Sequence, residues 1–394
     1  MKRHSKKSHV DLIKKELFRS LHPINSGRDT FQGVTPVLTY MSHRNHTMAS
    51  MQLLLLTSLC MTSLLGVVQT VKIQSFNVGL TNFISHYTER LPRVIRALES
   101  GDYDVMCLQE VWYGNDVARI RKKLNRKVFA YTPRLYQKTM LWGLLNAPPC
   151  HGSDAALSVA CILSTCTSLA SERAALVNCT VRCGIMSLSQ TCISCLVNSA
   201  AEGGLRCFDY LTREAMNVPG VMLLSKKKVN SVKTVYFELN VKQISKRAYI
   251  EAEIEGVGTV FCSHSTSNVA SDFYEPNLRQ KYSSFAEQNL ANSRQLTNAA
   301  LSTSKPLIIG DLNTGPGVPA FNVTADFEDS YNHFLSEGFT SPYVTMVGRC
   351  TFCVQNPLVS DWEQNNLIDH VLVRNRTVLS AKFVPMVSNF SFCA

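Results

Sequence analysis

Val105-Met-Cys-Leu-Gln-Glu110-Val is the run from which the architecture can be read. It is mostly apolar, which suits a strand buried on both faces, and a carboxylate stands at its end. The same arrangement recurs on either side. Val71-Lys-Ile-Gln-Ser-Phe-Asn77 alternates toward a strand end that carries an amide. Leu307-Ile-Ile-Gly runs into Asp311-Leu-Asn313, and Leu367-Ile-Asp369-His-Val-Leu-Val carries an acid inside an apolar run. Helix signals lie between. Leu91, Val94, Ile95 and Leu98 mark one face; Val117, Ile120 and Leu124 mark another, with Arg119, Arg121, Lys122 and Lys123 turned outward. Val221-Met-Leu-Leu, Thr234-Val-Tyr-Phe-Glu-Leu, Tyr249-Ile-Glu-Ala-Glu-Ile and Thr259-Val-Phe-Cys are neighbouring short runs that suggest an antiparallel meander. Tyr282 to Leu301 reads as a long amphipathic helix. Parallel and antiparallel character mix, which predicts a layered α/β sandwich.

The chain has 394 residues, 45% hydrophobic and 18% charged, so a packed core is expected and disorder is excluded as the general state. The net charge of +11 is uneven. Residues 1–50 hold nine Lys/Arg against three Asp/Glu, residues 51–70 hold none, and the remainder holds 31 against 26. The main domain is therefore only mildly biased toward anionic partners, which separates neither lipid from nucleic acid.

Met51 to Val68, MQLLLLTSLCMTSLLGVV, is an uncharged apolar run with Arg44 before it. It reads as a secretory signal spanning residues 48–70, with an uncleaved membrane anchor as the alternative. Residues 1–47 lack hydrophobic periodicity and read as a disordered basic leader or a mis-assigned start. Fourteen cysteines, eight of them between Cys150 and Cys207, point to disulfides and an oxidising compartment. A zinc site needs two Cys-x-x-Cys halves, and Cys192-x-x-Cys195 and Cys350-x-x-Cys353 stand singly. Cys107 and Cys262 lie in buried strands and read as inert thiols. With Cys60 removed, thirteen cysteines remain, an odd number. Residues 150–207 break the strand–helix rhythm and read as an inserted, disulfide-tied helical subdomain. Sequons at Asn178, Asn322, Asn375 and Asn389 agree with secretion.

Asn77, Glu110, His264, Asp311, Asn313 and Asp369 all stand at or near the ends of apolar strands. Strand ends in a layered sheet converge on one rim, where ligands bind. A carboxylate, an amide and an Asp-x-Asn pair supply oxygen ligands suited to a hard cation such as Mg²⁺. Each residue also has a plainer reading: Glu110 as an ordinary strand-end acid, His264 as a hydrogen-bonded core histidine, Asp311 and Asn313 as turn caps before Gly315. Trp112 reads as packing, and Lys226, Lys227 and Lys228 as a solvated turn.

At these positions the sequence resembles the endonuclease/exonuclease/phosphatase superfamily, whose fold is like that of deoxyribonuclease I. The matching motifs are Phe76-Asn77, Leu108-Gln-Glu110-Val, Ser263-His264, Gly310-Asp311-Leu-Asn313 and Ile368-Asp369-His, in family order over residues 71–375. The resemblance implies a four-layer sandwich of two mixed β-sheets flanked by helices, here with the cysteine-rich helical insertion. It implies that Glu110 holds the catalytic metal with Asn77 near it, the metal being Mg²⁺ or another divalent cation such as Mn²⁺. It implies further that Asp311 positions or activates the attacking water, that His264 and Asn313 hold the scissile phosphate, and that Asp369 orients a histidine. Gln109-Glu-Val-Trp112 and the helix after it look most like neutral sphingomyelinases. The implied function is a secreted phosphodiesterase acting on sphingomyelin or a related phospholipid at a membrane surface. A secreted nuclease acting on nucleic acid and a catalytically inactive binding module are the alternatives.

The chain departs from the family pattern in one respect. The family ends on a Ser-Asp-His turn, and no such motif occurs here. Asp369-His370 sits in a strand like the family's earlier Ile-Asp-Tyr strand, so the domain over residues 71–394 reads as C-terminally truncated, with His370 as the catalytic base the alternative.

Overall fold

A computed structural model of the chain describes residues 36–42, 69–82, 84–135, 139–140, 145–169, 173–199, 204–209, 214–268, 274, 276–356, 358 and 364–384. The expected signal segment lies outside these residues except for its last two positions, as do Cys60, Asn389 and Cys393.

The chain runs through β1 (Pro36–Ser42), β2 (Gln69–Leu80), α1 (Tyr87–Ser100), β3 (Val105–Val111), α2 (Gly114–Leu124) and β4 (Phe129–Tyr131). A small ribbon of β5 (Thr139–Met140) and β6 (Leu145–Asn146) leads into the insertion helices α3 (Ser153–Cys161), α4 (Arg173–Arg182) and α5 (Gln190–Asn198). Then come β7 (Met222–Ser225), β8 (Val229–Tyr236), β9 (Ala248–Ile254), β10 (Gly258–His264), α6 (Phe285–Leu301) and β11 (Leu307–Asp311). The described chain closes with α7 (Glu328–Ser336), α8 (Pro342–Met346), β12 (Asp369–Val373) and β13 (Thr377–Phe383).

Two sheets form, in the orders β13-β1-β2-β3-β7-β4 and β12-β11-β10-β9-β8. Each is mixed: β2 pairs parallel with β3, and β10 with β11, among antiparallel neighbours. Strand alternation sorts the side chains into layers. Val105 and Cys107 of β3 meet Val260, Cys262, Leu307 and Ile309 between the sheets. Met106 and Leu108 face the other way, onto Leu91, Val94, Val117 and Ile120 of α1 and α2. Phe261 and Ile308 face Leu296 and Ala300 of α6 and Phe334 of α7. The result is helix, sheet, sheet, helix, the four-layer α/β sandwich that the resemblance implied.

Three expectations need correction. Val221-Met-Leu-Leu does not join the antiparallel meander. Met222–Ser225 lies between β3 and β4, buried at every position, and only β8, β9 and β10 make the meander. A strand apolar on both faces belongs at the centre of a sheet, and the Lys226–Lys228 turn hands the chain to the second sheet. Part of the expected leader is sheet: β1 pairs with β2 and β13. Pairing of backbone groups with edges on both sides needs little side-chain periodicity, which is why the pattern did not announce it. Third, Cys107 and Cys262 are not separate thiols but one disulfide, because both side chains point into the same inter-sheet layer.

The insertion does form short helices tied by disulfides, Cys150–Cys192, Cys161–Cys183, Cys166–Cys179 and Cys195–Cys207. Cys350–Cys353 closes a small loop elsewhere. Among the described residues the only three candidate metal-ligand atoms within 4.8 Å of one another belong to Cys166, Cys179 and Cys183. All three are consumed by disulfides, so the zinc alternative has no site there.

Candidate active site

The interior rows of both sheets end in polar side chains at the same rim. In the second sheet the last register row reads Ala248, His264, Asp311, Asp369 across four strands. His264, Asp311 and Asp369 share the parity of Cys262, Ile309 and Val371, so they cap the inter-sheet layer. Asn77 does the same for β2. Glu110 would by alternation face the helices with Leu108, but its φ of +61° turns the backbone and brings it to the rim. Gly310 lets β10 and β11 approach: a Cβ there would lie 1.9 Å from the Ser263 carbonyl oxygen.

The two sheets touch through these groups. Asn77 Nδ2 donates to Glu110 Oε1 at 3.0 Å and to Asp311 Oδ2 at 2.8 Å. Asp311 Oδ1 accepts the Asn313 backbone N–H at 3.0 Å, and Asn313 Nδ2 donates to the Ser265 carbonyl at 3.0 Å. Burial pushes the Asp311 carboxyl up to about 6; the Asn77 hydrogen bond opposes this and the Glu110 charge adds to it. Burial, then the charge of Asp311, holds Asp369 well above the ordinary carboxylate range.

His264 Nδ1 lies 2.6 Å from Arg247 Nη1. A guanidinium only donates, so Nδ1 accepts, and the ring proton sits on Nε2. Burial, then the Arg247 charge, keeps the imidazole neutral by lowering its pKa. Nε2 faces Asp311 Oδ2 at 3.6 Å, too long for a hydrogen bond and, with a neutral ring, not an ion pair.

This chain matches the endonuclease/exonuclease/phosphatase family over residues 75–391. It belongs to that family. No curated protein matches it. Solved structures of similar arrangement include a 3'-5' exonuclease from Neisseria meningitidis (13% identity, 77% of this chain and 86% of that one, TM-score 0.41). They also include SmcL (13%, 77% and 82%, 0.43) and sphingomyelinase C from Streptomyces griseocarneus (14%, 77% and 84%, 0.38).

Enzymes of the endonuclease/exonuclease/phosphatase family generally use divalent metal ions, and the donors here fit one. Glu110, Asp311 and Asp369 are hard oxygen donors with the Asn77 amide beside them, and burial together with neighbouring acidic charge holds the Asp311 and Asp369 carboxyls above the ordinary range. Asp369 Oδ1 is buried with no hydrogen-bond partner. The Glu110, Asp311 and Asp369 oxygens do not all come within 4.8 Å of one another, so the three acids do not close a cage.

His370 is not part of the site. Its parity is that of Leu372, on the helix side. Nε2 donates to the Thr314 carbonyl at 2.8 Å, Nδ1 lies 3.1 Å from Ser341 Oγ, and the ring packs on Tyr331. Burial lowers its pKa to about 4.

Four supporting residues went unread in the sequence. Arg247 is one. Buried Arg90 donates to the carbonyls of Val78, Gly79, Thr81, Ile84 and Ser85, which locks the loop that leaves Asn77. Asn289 of α6 donates to the Thr266 and Leu312 carbonyls, fixing the loops that follow His264 and Asp311. Thr351 Oγ1 accepts the backbone N–H of Ile368 and of Asp369, each at 3.0 Å. A polar residue out of place on a buried helix face could have flagged Arg90 and Asn289; Arg247 and Thr351 lie outside the helices and carry no such signal. Trp112 is buried with Met216 and Val218 in the insertion's apolar cluster, in keeping with its reading as packing.

Proposed function

We propose that this chain is a secreted, divalent-metal-dependent phosphodiesterase, Mg²⁺ or Mn²⁺ in use, cleaving sphingomyelin or a related phospholipid in the manner of a phospholipase C. The observation that carries the reading is the meeting of Asn77 and Glu110 from one sheet with Asp311 from the other. Glu110 and Asn77 would hold the cation, which when bound polarises a phosphoryl oxygen and stabilises the leaving one. Asp311 orients the attacking water and takes its proton, aided by a raised pKa. Neutral His264 donates from Nε2, and Asn313 from its remaining amide hydrogen, to the non-bridging phosphate oxygens. Buried Asp369 Oδ1, which has no hydrogen-bond partner, is an acceptor that would orient a histidine, a role the ring of His370 does not fill. The lipid preference rests on the Gln109-Glu-Val-Trp112 resemblance. Secretion is supported by the six disulfides among the described residues and by exposed sequons at Asn322 and Asn375.

The test is a substrate panel on the purified protein: choline-phosphate release from sphingomyelin and nicking of plasmid DNA, each with and without EDTA. EDTA-sensitive lipid cleavage supports the reading. DNA nicking alone replaces the lipid substrate with nucleic acid. Neither activity, with Glu110→Gln indistinguishable from wild type, leaves a non-catalytic binding module.

A further inference from the structure

Among the described residues one disulfide joins the two sheets. Cys107–Cys262 links β3 to β10 across 155 residues, whereas the other five lie within the insertion or within one small loop. Both cysteines are fully buried in the inter-sheet apolar layer. The bridge holds two backbones 5.3 Å apart at Cα, where facing sheets normally stand about 10 Å apart. The sandwich is therefore pinched at this point.

The pinch lies directly beneath the site. Cys107 is three residues before Glu110, and Cys262 is two before His264 on the same face. Just above it, Asn77 of the first sheet reaches Asp311 of the second at 2.8 Å. Asn and Asp are short, and two short side chains meet directly only where their backbones run closer than ordinary sheet packing brings them. Gln109 Nε2, 2.9 Å from Cys107 Sγ, ties the bridge to the side chain two residues up the strand.

We propose that the Cys107–Cys262 disulfide is a positioning element of the active site: it sets the distance between the sheet that carries Asn77 and Glu110 and the sheet that carries His264 and Asp311. It touches neither substrate nor cation. Apolar packing alone would keep the sheets together but would not hold them at this spacing, so cutting the bridge opens the site before it unfolds the domain. The proposal rests on the metal-site reading above, and its readout is cation binding, separate from turnover.

The experiment compares the full-length secreted protein with the volume-matched pairs Cys107→Ala/Cys262→Val and Cys107→Val/Cys262→Ala, and with Val260→Ala as a control. Val260→Ala makes a cavity in the same layer without cutting the bridge. Mn²⁺ binding without substrate is measured by electron paramagnetic resonance, well below each protein's Tm. Both bridge-free pairs are expected to weaken Mn²⁺ binding by about 10–100-fold, as loss of a supporting shell does. The metal concentration for half-maximal turnover should rise in parallel. Val260→Ala is expected to lower Tm and leave Mn²⁺ affinity unaltered. Unaltered Mn²⁺ binding in a folded bridge-free pair would overturn the proposal. So would a loss of affinity in Val260→Ala that tracks its loss of Tm, a result that remains readable if neither pair folds. Wild-type protein that binds Mn²⁺ but cleaves no phosphodiester counts against the proposed function and not against the bridge.

Discussion

The sandwich and the cysteine-rich insertion hold themselves together by different means. The sandwich has long apolar rows shared between strands that are distant in sequence, and one disulfide across them. The insertion has helices of nine or ten residues and four disulfides between Cys150 and Cys207. Helices that short are marginal alone, and a small unit buries too little surface to do without cross-links. The polar side chains that need fixed spacing all sit on the sandwich. Rows of side chains on paired strands transmit position over the width of a sheet, whereas a cross-linked knot of short helices fixes only its own parts.

If that contrast is right, damage to the rim should abolish chemistry without unfolding anything, and damage to the insertion should do the reverse. Asp311→Asn removes the group proposed to orient water. Turnover is expected to fall by about 10²–10⁴-fold with Tm nearly unaltered, measured by initial rates and thermal melts. An Asp311→Asn protein with wild-type turnover breaks the contrast at its strongest point. Replacing Cys161 and Cys183 together by Ser should cost about 2–5 kcal/mol of insertion stability, seen as early local hydrogen exchange. Turnover per folded molecule should persist. A collapse of turnover with the sandwich intact would show that the insertion reaches the substrate.

Arg247→Met sharpens the comparison within the rim. It leaves His264 without the donor that sets its tautomer, so kcat should fall about 10–100-fold. The acid limb of the pH–rate profile should move to higher pH as the nearby cation disappears. Arg247→Lys should restore part of both. His370 provides the mildest contrast, a core histidine beside the site but not in it. Its folded pKa of about 4 lies below the ordinary value of 6.5, so the unfolded chain binds the extra proton between these values. Its contribution is complete above pH 6.5 and is lost as pH falls toward 4. His370→Gln, which keeps the hydrogen bonds, should flatten the decline of stability by about 1 kcal/mol per pH unit in that window. An identical pH slope in the variant would show that His370 is protonated in the fold. A separate measurement concerns the N-terminus. Cleavage near residues 66–70 would remove β1 from its place beside β2, so the N-terminal residue of the mature protein decides whether that strand persists.

Much of this protein was legible from local pattern. An apolar or alternating run is a property of a few successive residues, and such runs located β2, β3, β10, β11 and β12 with their polar ends. The helix faces of α1, α2 and α6 came the same way. Asn77, Glu110, His264, Asp311, Asn313 and Asp369 were nameable before any fold was known, because polar residues recur at or near the ends of several apolar runs and lie in five short motifs that resemble the family's, in its order. Other features were decided only by the folded chain. Asp369 and His370 are neighbours flanked by equally apolar residues, and nothing local says which faces the rim. Cys107 found Cys262, and Arg247 found His264, because strand order set them side by side. Such pairings depend on which strands become neighbours, and that choice is made by the packing of the whole chain and not by any short stretch of it.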